Sequence, residues 1–110
     1  MIAIDIKYNF GTEILVVRSC YHRDGRDLLA IAGEDAVQVL QCGDNAVAPI
    51  AYFMVGLRVT SIAWSPRTVS PGASDEWFLE LVISTHDFGL YHLTKSYDGK
   101  EEVRRFGGGL

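Results

Sequence analysis

Residues 29–35 read LAIAGED, and residues 81–87 read LVISTHD. Each stretch begins as an apolar run of strand length and ends in a polar turn whose last residue is Asp. In both cases another apolar run follows the Asp. A strand, a tight turn and a second strand therefore occur twice in the chain, and this repeated hairpin decides the fold class.

The repeat extends beyond the hairpin. Residues 14–20 align with residues 59–65 at an offset of about 45 residues, and a longer polar segment at 67–76 absorbs the different spacing of the two alignments. No segment carries the i, i+3, i+4, i+7 apolar spacing of a helix. We predict four strands per unit, at about 13–19, 28–33, 36–42 and 48–55 and then at about 57–65, 77–84, 88–95 and 101–106.

Four strands in a repeat of this length are typical of a β-propeller blade. The predicted fold class is therefore all-β, with two four-stranded antiparallel blades at about 13–55 and 57–106. Two blades cannot close a ring and leave sheet edges and apolar faces uncovered. We expect residues 1–110 to be the N-terminal part of a longer propeller, a truncated gene product or one member of an assembly, and to behave poorly in isolation.

The charge balance narrows the choice of partners. The 110 residues include 10 basic and 14 acidic side chains, a net charge of −4, which argues against a broad phosphate-binding face and so against direct nucleic-acid binding. The nearly uncharged stretch 47–57 is far shorter than the roughly 20 residues of a membrane helix, and the first residues lack a leader pattern. We expect no membrane insertion and an intracellular protein.

The sequence gives little support for a catalytic or a metal-binding function. Cys20, His22 and Cys42 could supply zinc ligands, but a structural site needs four, and two cysteines without CxxC spacing are more typical of small core residues in a reducing compartment. His86 and Asp87 are adjacent and would point to opposite faces of a strand. No nucleophile motif accompanies them. We predict no catalytic residue, no metal ligand and no cofactor, and keep a small enzyme or metalloprotein as the least favoured alternative.

Aromatic residues are the candidates for packing and partner binding. Trp64 ends a predicted strand and is expected to fill space between the blades. Trp77 and Phe78 follow the polar segment, and because consecutive strand residues face opposite ways, one of them could be an exposed anchor for a partner. The apolar run 52–54, on the last strand of the first unit, is a second candidate contact.

The sequence resembles WD40-repeat proteins. Residues 29–35 and 81–87 resemble the end of strand b and the b–c turn of a WD40 blade, and RVTSIAWSP at 58–66 resembles strand a. More specifically, residues 56–66 together with 87–94 are similar to the nucleoporin thirty-seven family, small WD-repeat subunits of the Y-shaped outer-ring complex of the nuclear pore. The resemblance extends over about residues 6–106. The Trp-Asp pair is absent, since the Trp position falls on Gln41 and Leu93.

The resemblance implies both a structural role and a function. It implies that Asp35 and Asp87 are turn carboxylates, able to accept hydrogen bonds from backbone N–H groups of their own turns. It implies a non-enzymatic scaffold in protein and mRNA transport, docked on the large α-helical scaffold nucleoporin of the Y-complex arm and in contact with other outer-ring nucleoporins at the nuclear envelope. The alternative is another WD40 adaptor, such as a substrate receptor or a chromatin-associated, peptide-binding propeller.

Overall fold

The computed structural model describes residues 13–108, within which eight strands form two antiparallel sheets. Sheet A has the order β1-β2-β3-β4 and sheet B the order β5-β6-β7-β8. The strands are β1 Val16–Ser19, β2 Leu28–Ala32, β3 Ala36–Cys42, β4 Val47–Met54, β5 Val59–Trp64, β6 Phe78–Thr85, β7 Gly89–Ser96 and β8 Glu102–Gly108. The only helical element in this range is a short 3-10 helix, Arg23–Gly25.

The all-β prediction with two four-stranded antiparallel sheets is confirmed, and each predicted strand corresponds to an observed one. The expected unit 1–110 and the start of the resemblance near residue 6 extend outside the described residues. Within those residues, no helix is long and apolar enough to span a membrane.

Period-two alternation determines which side chains form the core. In sheet A, the strand register aligns Val16, Ala32, Val37 and Phe53 in one row across all four strands. All four lie in, or pack against, the apolar core that forms between the sheets. Phe53 is fully buried, and burying a side chain of this size contributes roughly 1.5–3 kcal/mol.

Sheet B supplies the other half of the core in the same way. Trp64, Leu81 and Leu93 are aligned across β5, β6 and β7, and Leu81 and Leu93 are fully buried. Trp64 is half-buried against the same core. Two sheets that each bury one face against the other make a two-layer arrangement around a single core.

A four-residue crossover, residues 55–58, determines how the sheets stack. It crosses the end of sheet A, where Val55 N and Gly56 N both donate to the Asp35 carbonyl oxygen at 2.8 Å. Val59 N then donates to the Gly33 carbonyl oxygen at 3.1 Å. Gly56 has φ +83°, a left-handed conformation that a residue without Cβ adopts at little cost. The tip of the β2–β3 hairpin therefore guides the chain from one edge of sheet A to the other.

The crossover brings β5 next to β1 and not next to β4, so strand order runs the same way in both sheets. Hydrogen bonds between the sheets fix this arrangement at both sides. The Trp64 indole Nε1 donates to the Arg18 carbonyl oxygen at 3.0 Å, and Lys95 Nζ donates to the Ile50 carbonyl oxygen at 2.9 Å. First strand therefore faces first strand, and β4 lies near β7 and β8.

The polar segment between β5 and β6 is anchored on sheet A. Ser70 N donates to the Asp24 carbonyl oxygen at 2.7 Å, and the side chains of Thr68 and Ser70 are buried. A Cβ at the buried Gly25 would lie 2.7 Å from Cys20 Sγ and 3.4 Å from a Thr68 methyl carbon. This segment, to which the sequence alignment assigned only a difference in spacing, is thus a packed part of the fold.

Candidate interaction surfaces

The outer face of sheet A, the face turned away from sheet B, carries exposed apolar side chains. Val17, Ile31, Gln38 and Tyr52 lie in one row across it, and Met54 follows Tyr52 on the same face of β4. Ile31 is buried, but Tyr52 is 45% and Met54 56% exposed, and Val17 is similarly exposed. Tyr52 and Met54 are neighbours on β4 and form the exposed apolar pair of this face, whereas Val17 is separated from them by Ile31 and Gln38. Neighbouring exposed apolar side chains are candidates for an interaction surface.

The outer face of sheet B has the opposite character. His92 and Arg104 are register partners on this face. Nearby, Ser84 Oγ lies 2.8 Å from Thr60 Oγ1 and 2.5 Å from Ser61 Oγ, within hydrogen-bonding distance of both hydroxyls. The two outer faces therefore differ in what they expose, with the apolar Tyr52 and Met54 on sheet A and the polar His92 and Arg104 on sheet B.

A buried carboxylate organises the polar face. Glu80, in β6, has a side chain only 11% exposed. Ser65 Oγ donates to its Oε1 at 2.6 Å, His92 Nε2 donates to its Oε2 at 2.9 Å, and Arg67 lies 3.6 Å from Oε2. These groups stabilise the charged form, the Ser65 hydrogen bond most, and they hold the pKa of Glu80 below its ordinary value in spite of burial.

The backbone of Glu80 also holds the segment between β5 and β6 in place, through Thr68. Thr68 Oγ1 donates to the Glu80 carbonyl oxygen at 3.1 Å and accepts from Glu80 N at 3.3 Å. Ser65 donates to Glu80, whose lowered pKa makes its carboxylate a weak base. The chemistry of this cluster is that of a structural clamp.

Sequence reasoning missed Glu80, which interrupts the apolar run of β6. Period-two alternation offered a signal, because it turns Glu80 away from its neighbours Leu79 and Leu81 and onto the outer face. Its partners, however, come from another strand and another loop, and nothing in the local sequence identifies them.

Asp87 lies in the β6–β7 turn, where its carboxylate closes the hairpin. Its Oδ1 accepts from Thr85 Oγ1 at 2.5 Å and from Gly89 N at 3.1 Å. Both bonds lower the pKa of Asp87, the Thr85 bond more strongly. The next residue, Phe88, has φ 66° and is 67% exposed, an unusual conformation and exposure for a large aromatic side chain.

The expectation that Asp35 acts through its carboxylate is corrected. Its side chain is exposed and has no partner among residues 13–108, whereas its backbone carbonyl holds the crossover. Turn length explains the difference. Between the paired residues Ala32 and Val37 the turn has four residues, 33–36, but between the paired Ser84 and Leu90 it has five, 85–89. Only the longer turn brings a backbone N–H within reach of the carboxylate.

Trp77 and Phe78 lie on opposite sides of sheet B. Trp77 packs against the core, with Lys95 Nζ 5.8 Å from its ring centroid. Phe78 is half-buried, with the Arg67 guanidinium carbon 5.4 Å from its ring centroid. Neither is among the strongly exposed aromatic side chains, so Tyr52 is the more accessible candidate contact.

The candidate zinc residues do not form a metal site in this structure. Across residues 13–108, no group of three or more His, Cys, Asp or Glu side chains could hold a metal ion. Cys20 is buried and Cys42 half-buried, and both thiols are free. Burial, and to a smaller extent the charge of Asp27, raise the pKa of both thiols, which makes them poor nucleophiles.

No protein-family model matches the chain, and no curated protein matches it significantly.

Proposed function

We propose that this chain is part of a WD40 propeller and serves as a non-enzymatic scaffold subunit of the outer-ring complex of the nuclear pore. Its partner is the α-helical scaffold nucleoporin of the Y-complex arm, and its role in protein and mRNA transport follows from pore integrity. The sequence resemblance at residues 56–66 and 87–94 supports the choice of this protein family.

The stacking of the two sheets is the observation that supports a propeller best. Neighbouring propeller blades are four-stranded meanders, and a connection from the last strand of one blade to the first strand of the next places first strand beside first strand. Residues 55–58 make such a connection, and the Trp64–Arg18 hydrogen bond joins the two first strands. A sandwich built by simple hairpin continuation would place β5 beside β4.

The part of the outer face of sheet A along β4 is the surface through which we propose contact with the scaffold, because β4 is the strand at the perimeter of the proposed propeller and a neighbouring blade would cover the rest of the face. Tyr52 and Met54 are exposed on it, while Phe53 between them is fully buried in the core. Substitutions at the two exposed positions can therefore change the surface without opening a cavity. Aromatic and Met side chains are enriched in the central parts of protein interfaces.

The proposal is tested by reconstitution with the purified α-helical scaffold nucleoporin, followed by size-exclusion chromatography and a titration. We expect the wild-type chain to co-elute with the scaffold, and the Tyr52→Ser, Met54→Ser double variant to bind at least about tenfold more weakly. Tyr21→Ser is the matched control, because Tyr21 is 82% exposed in the connection between β1 and β2, at the opposite edge of sheet A from β4.

Failure of the wild-type chain to bind the scaffold would refute the pore assignment. Equal binding by the double variant and the control would refute the assigned surface. Recovery of histone peptides or ubiquitin-ligase subunits in place of outer-ring nucleoporins would instead favour another WD40 adaptor.

A further inference from the structure

An open pocket of about 320 Å³ lies at the end of sheet A opposite the crossover. It is formed where β2 begins and where the β3–β4 hairpin turns. Its walls are formed by Asp27, Gln41, Cys42, Gly43, Ala46 and Ala48. A carboxylate, an amide and a thiol thus share the pocket with the methyl groups of two alanines.

The carboxylate in this pocket has a neutral partner only. Gln41 Nε2 donates to Asp27 Oδ2 at 2.9 Å, and Cys42 N donates to the Asp27 carbonyl oxygen at 2.7 Å. The ion pairs formed among residues 13–108 do not include Asp27. A half-buried carboxylate without a cation leaves a local negative field, because charge is screened less where solvent is partly excluded.

The neighbouring thiol responds to this field. The pKa of Cys42 is raised by burial and by the negative charge of Asp27, and no cation opposes either effect. The thiol is thus held neutral. It adds no negative charge of its own to the pocket and leaves Asp27 as the charged group.

The segment between β5 and β6 holds the Asp27 carboxylate in place. A Cβ at Gly72 would lie 2.8 Å from Asp27 Oδ2 and 3.2 Å from Gln41 Nε2, so the backbone here packs directly against the Asp27–Gln41 pair. The pair is thereby fixed between sheet A and the β5–β6 segment, and its open side faces the pocket. A preorganised acceptor loses little entropy when it binds a donor.

We propose that this pocket receives the side chain of a Lys or Arg from a partner protein. Asp27 pairs with the cationic head, the free side-chain oxygen of Gln41 is a second acceptor, and the methyl groups of Ala46 and Ala48 contact the aliphatic stem. This contact is independent of the proposed function, because the pocket lies at the end of sheet A and not on its outer face.

The probe is the blocked tripeptide acetyl-Ala-Arg-Ala-amide, titrated into the full chain while the backbone amide signals of residues 41–48 are followed by NMR. We expect saturable shifts with a dissociation constant on the order of millimolar, as befits a ligand of this size. The peptide with citrulline in place of arginine has nearly the same shape without the charge, and it should not saturate.

Variants assign the contact to the carboxylate. Asp27→Asn should weaken binding at least about tenfold, since it removes a charge-assisted pair. Asp44→Asn is the matched control in the adjacent β3–β4 turn and should bind as the wild type does. Ala46→Phe is a second variant at an exposed position that fills the pocket and leaves Asp27 intact, and it should abolish the shifts.

Four results would overturn the proposal. Equal binding of the citrulline peptide would remove the role of charge. Unchanged binding by Ala46→Phe, or by a folded Asp27→Asn, would place the peptide elsewhere. Binding of free ethylguanidinium as tightly as the arginine peptide would assign the pocket to a small cation and not to a partner's side chain.

Discussion

Replacing Glu80 by Gln should destabilise the fold at neutral pH. The carboxylate is largely buried and accepts hydrogen bonds from Ser65 and His92, with Arg67 nearby. Gln keeps the shape and one acceptor oxygen, but it removes the charge and presents an NH₂ group where an acceptor is needed.

The expected loss follows from the bonds that change. A hydrogen bond to a charged group contributes about 1.5–3 kcal/mol, and one of the two, that from Ser65, can be retained by the Gln oxygen in weaker form. We expect Glu80→Gln to lower the free energy of unfolding by about 2 kcal/mol. For a domain of this size that is a fall in Tm of roughly 8–16 °C.

The pH dependence identifies the charge as the cause. The pKa of Glu80 in the folded protein lies below its ordinary value of about 4.5, so the charged form contributes stability above that value and the contribution is lost as pH falls through the folded pKa. The difference between wild type and variant should therefore be largest near neutral pH. It should shrink as the pH is lowered below about 4.5.

Urea denaturation of both proteins at a series of pH values measures this difference. Glu102→Gln is the matched control, because Glu102 is exposed on the neighbouring part of sheet B. The reasoning is refuted if Glu80→Gln costs no more than the control at neutral pH, or if its cost remains constant down to the lowest pH at which the protein folds.

Three further substitutions probe other parts of the fold. Phe88→Gly should raise the free energy of unfolding, measured by urea denaturation, by about 1 kcal/mol. A φ of 66° strains a residue that has a Cβ, and removing the exposed ring sacrifices little buried area. A loss of stability would contradict this expectation. Gly25→Ala should lower the free energy of unfolding by about 1–3 kcal/mol through overpacking. Gly43→Ala should change it by no more than about 0.5 kcal/mol, because its Cβ would have only an ordinary contact at 3.6 Å. Equal losses for the two variants would contradict the packing described at Gly25. Asp27→Asn should lower the pKa of Cys42 and speed its alkylation by iodoacetamide at pH 8, and an unchanged rate would show that the carboxylate does not act on the thiol.

Local sequence patterns were sufficient to predict the strands. Runs of β-branched and aromatic residues bounded by turn residues determine where a strand can form, and antiparallel meanders pair neighbours in sequence, so little long-range information was needed. The two turns differ in length by one residue. Counted from the paired residues Ala32 and Ser84, Asp35 and Asp87 are equivalent, but counted back from Val37 and Leu90 they are not.

Contacts between distant segments could not be predicted from the sequence. The role of Asp35 depends on its backbone carbonyl, which every residue type possesses, and so its identity carries no signal for the crossover. The clamp at Glu80 and the pocket at Asp27 both depend on where residues 65–76 dock. A polar loop sequence predicts a turn but not the surface on which it lies.

The stacking of first strand on first strand is tested most directly by an NMR measurement at Trp64. In a NOESY spectrum, the indole Hε1 proton should show cross-peaks to the backbone of Arg18 and Ser19 in β1, since Nε1 lies 3.0 Å from the Arg18 carbonyl oxygen. Cross-peaks from this proton to β4 in place of β1 would mean that the second sheet is reversed, and the two units would then not be successive blades.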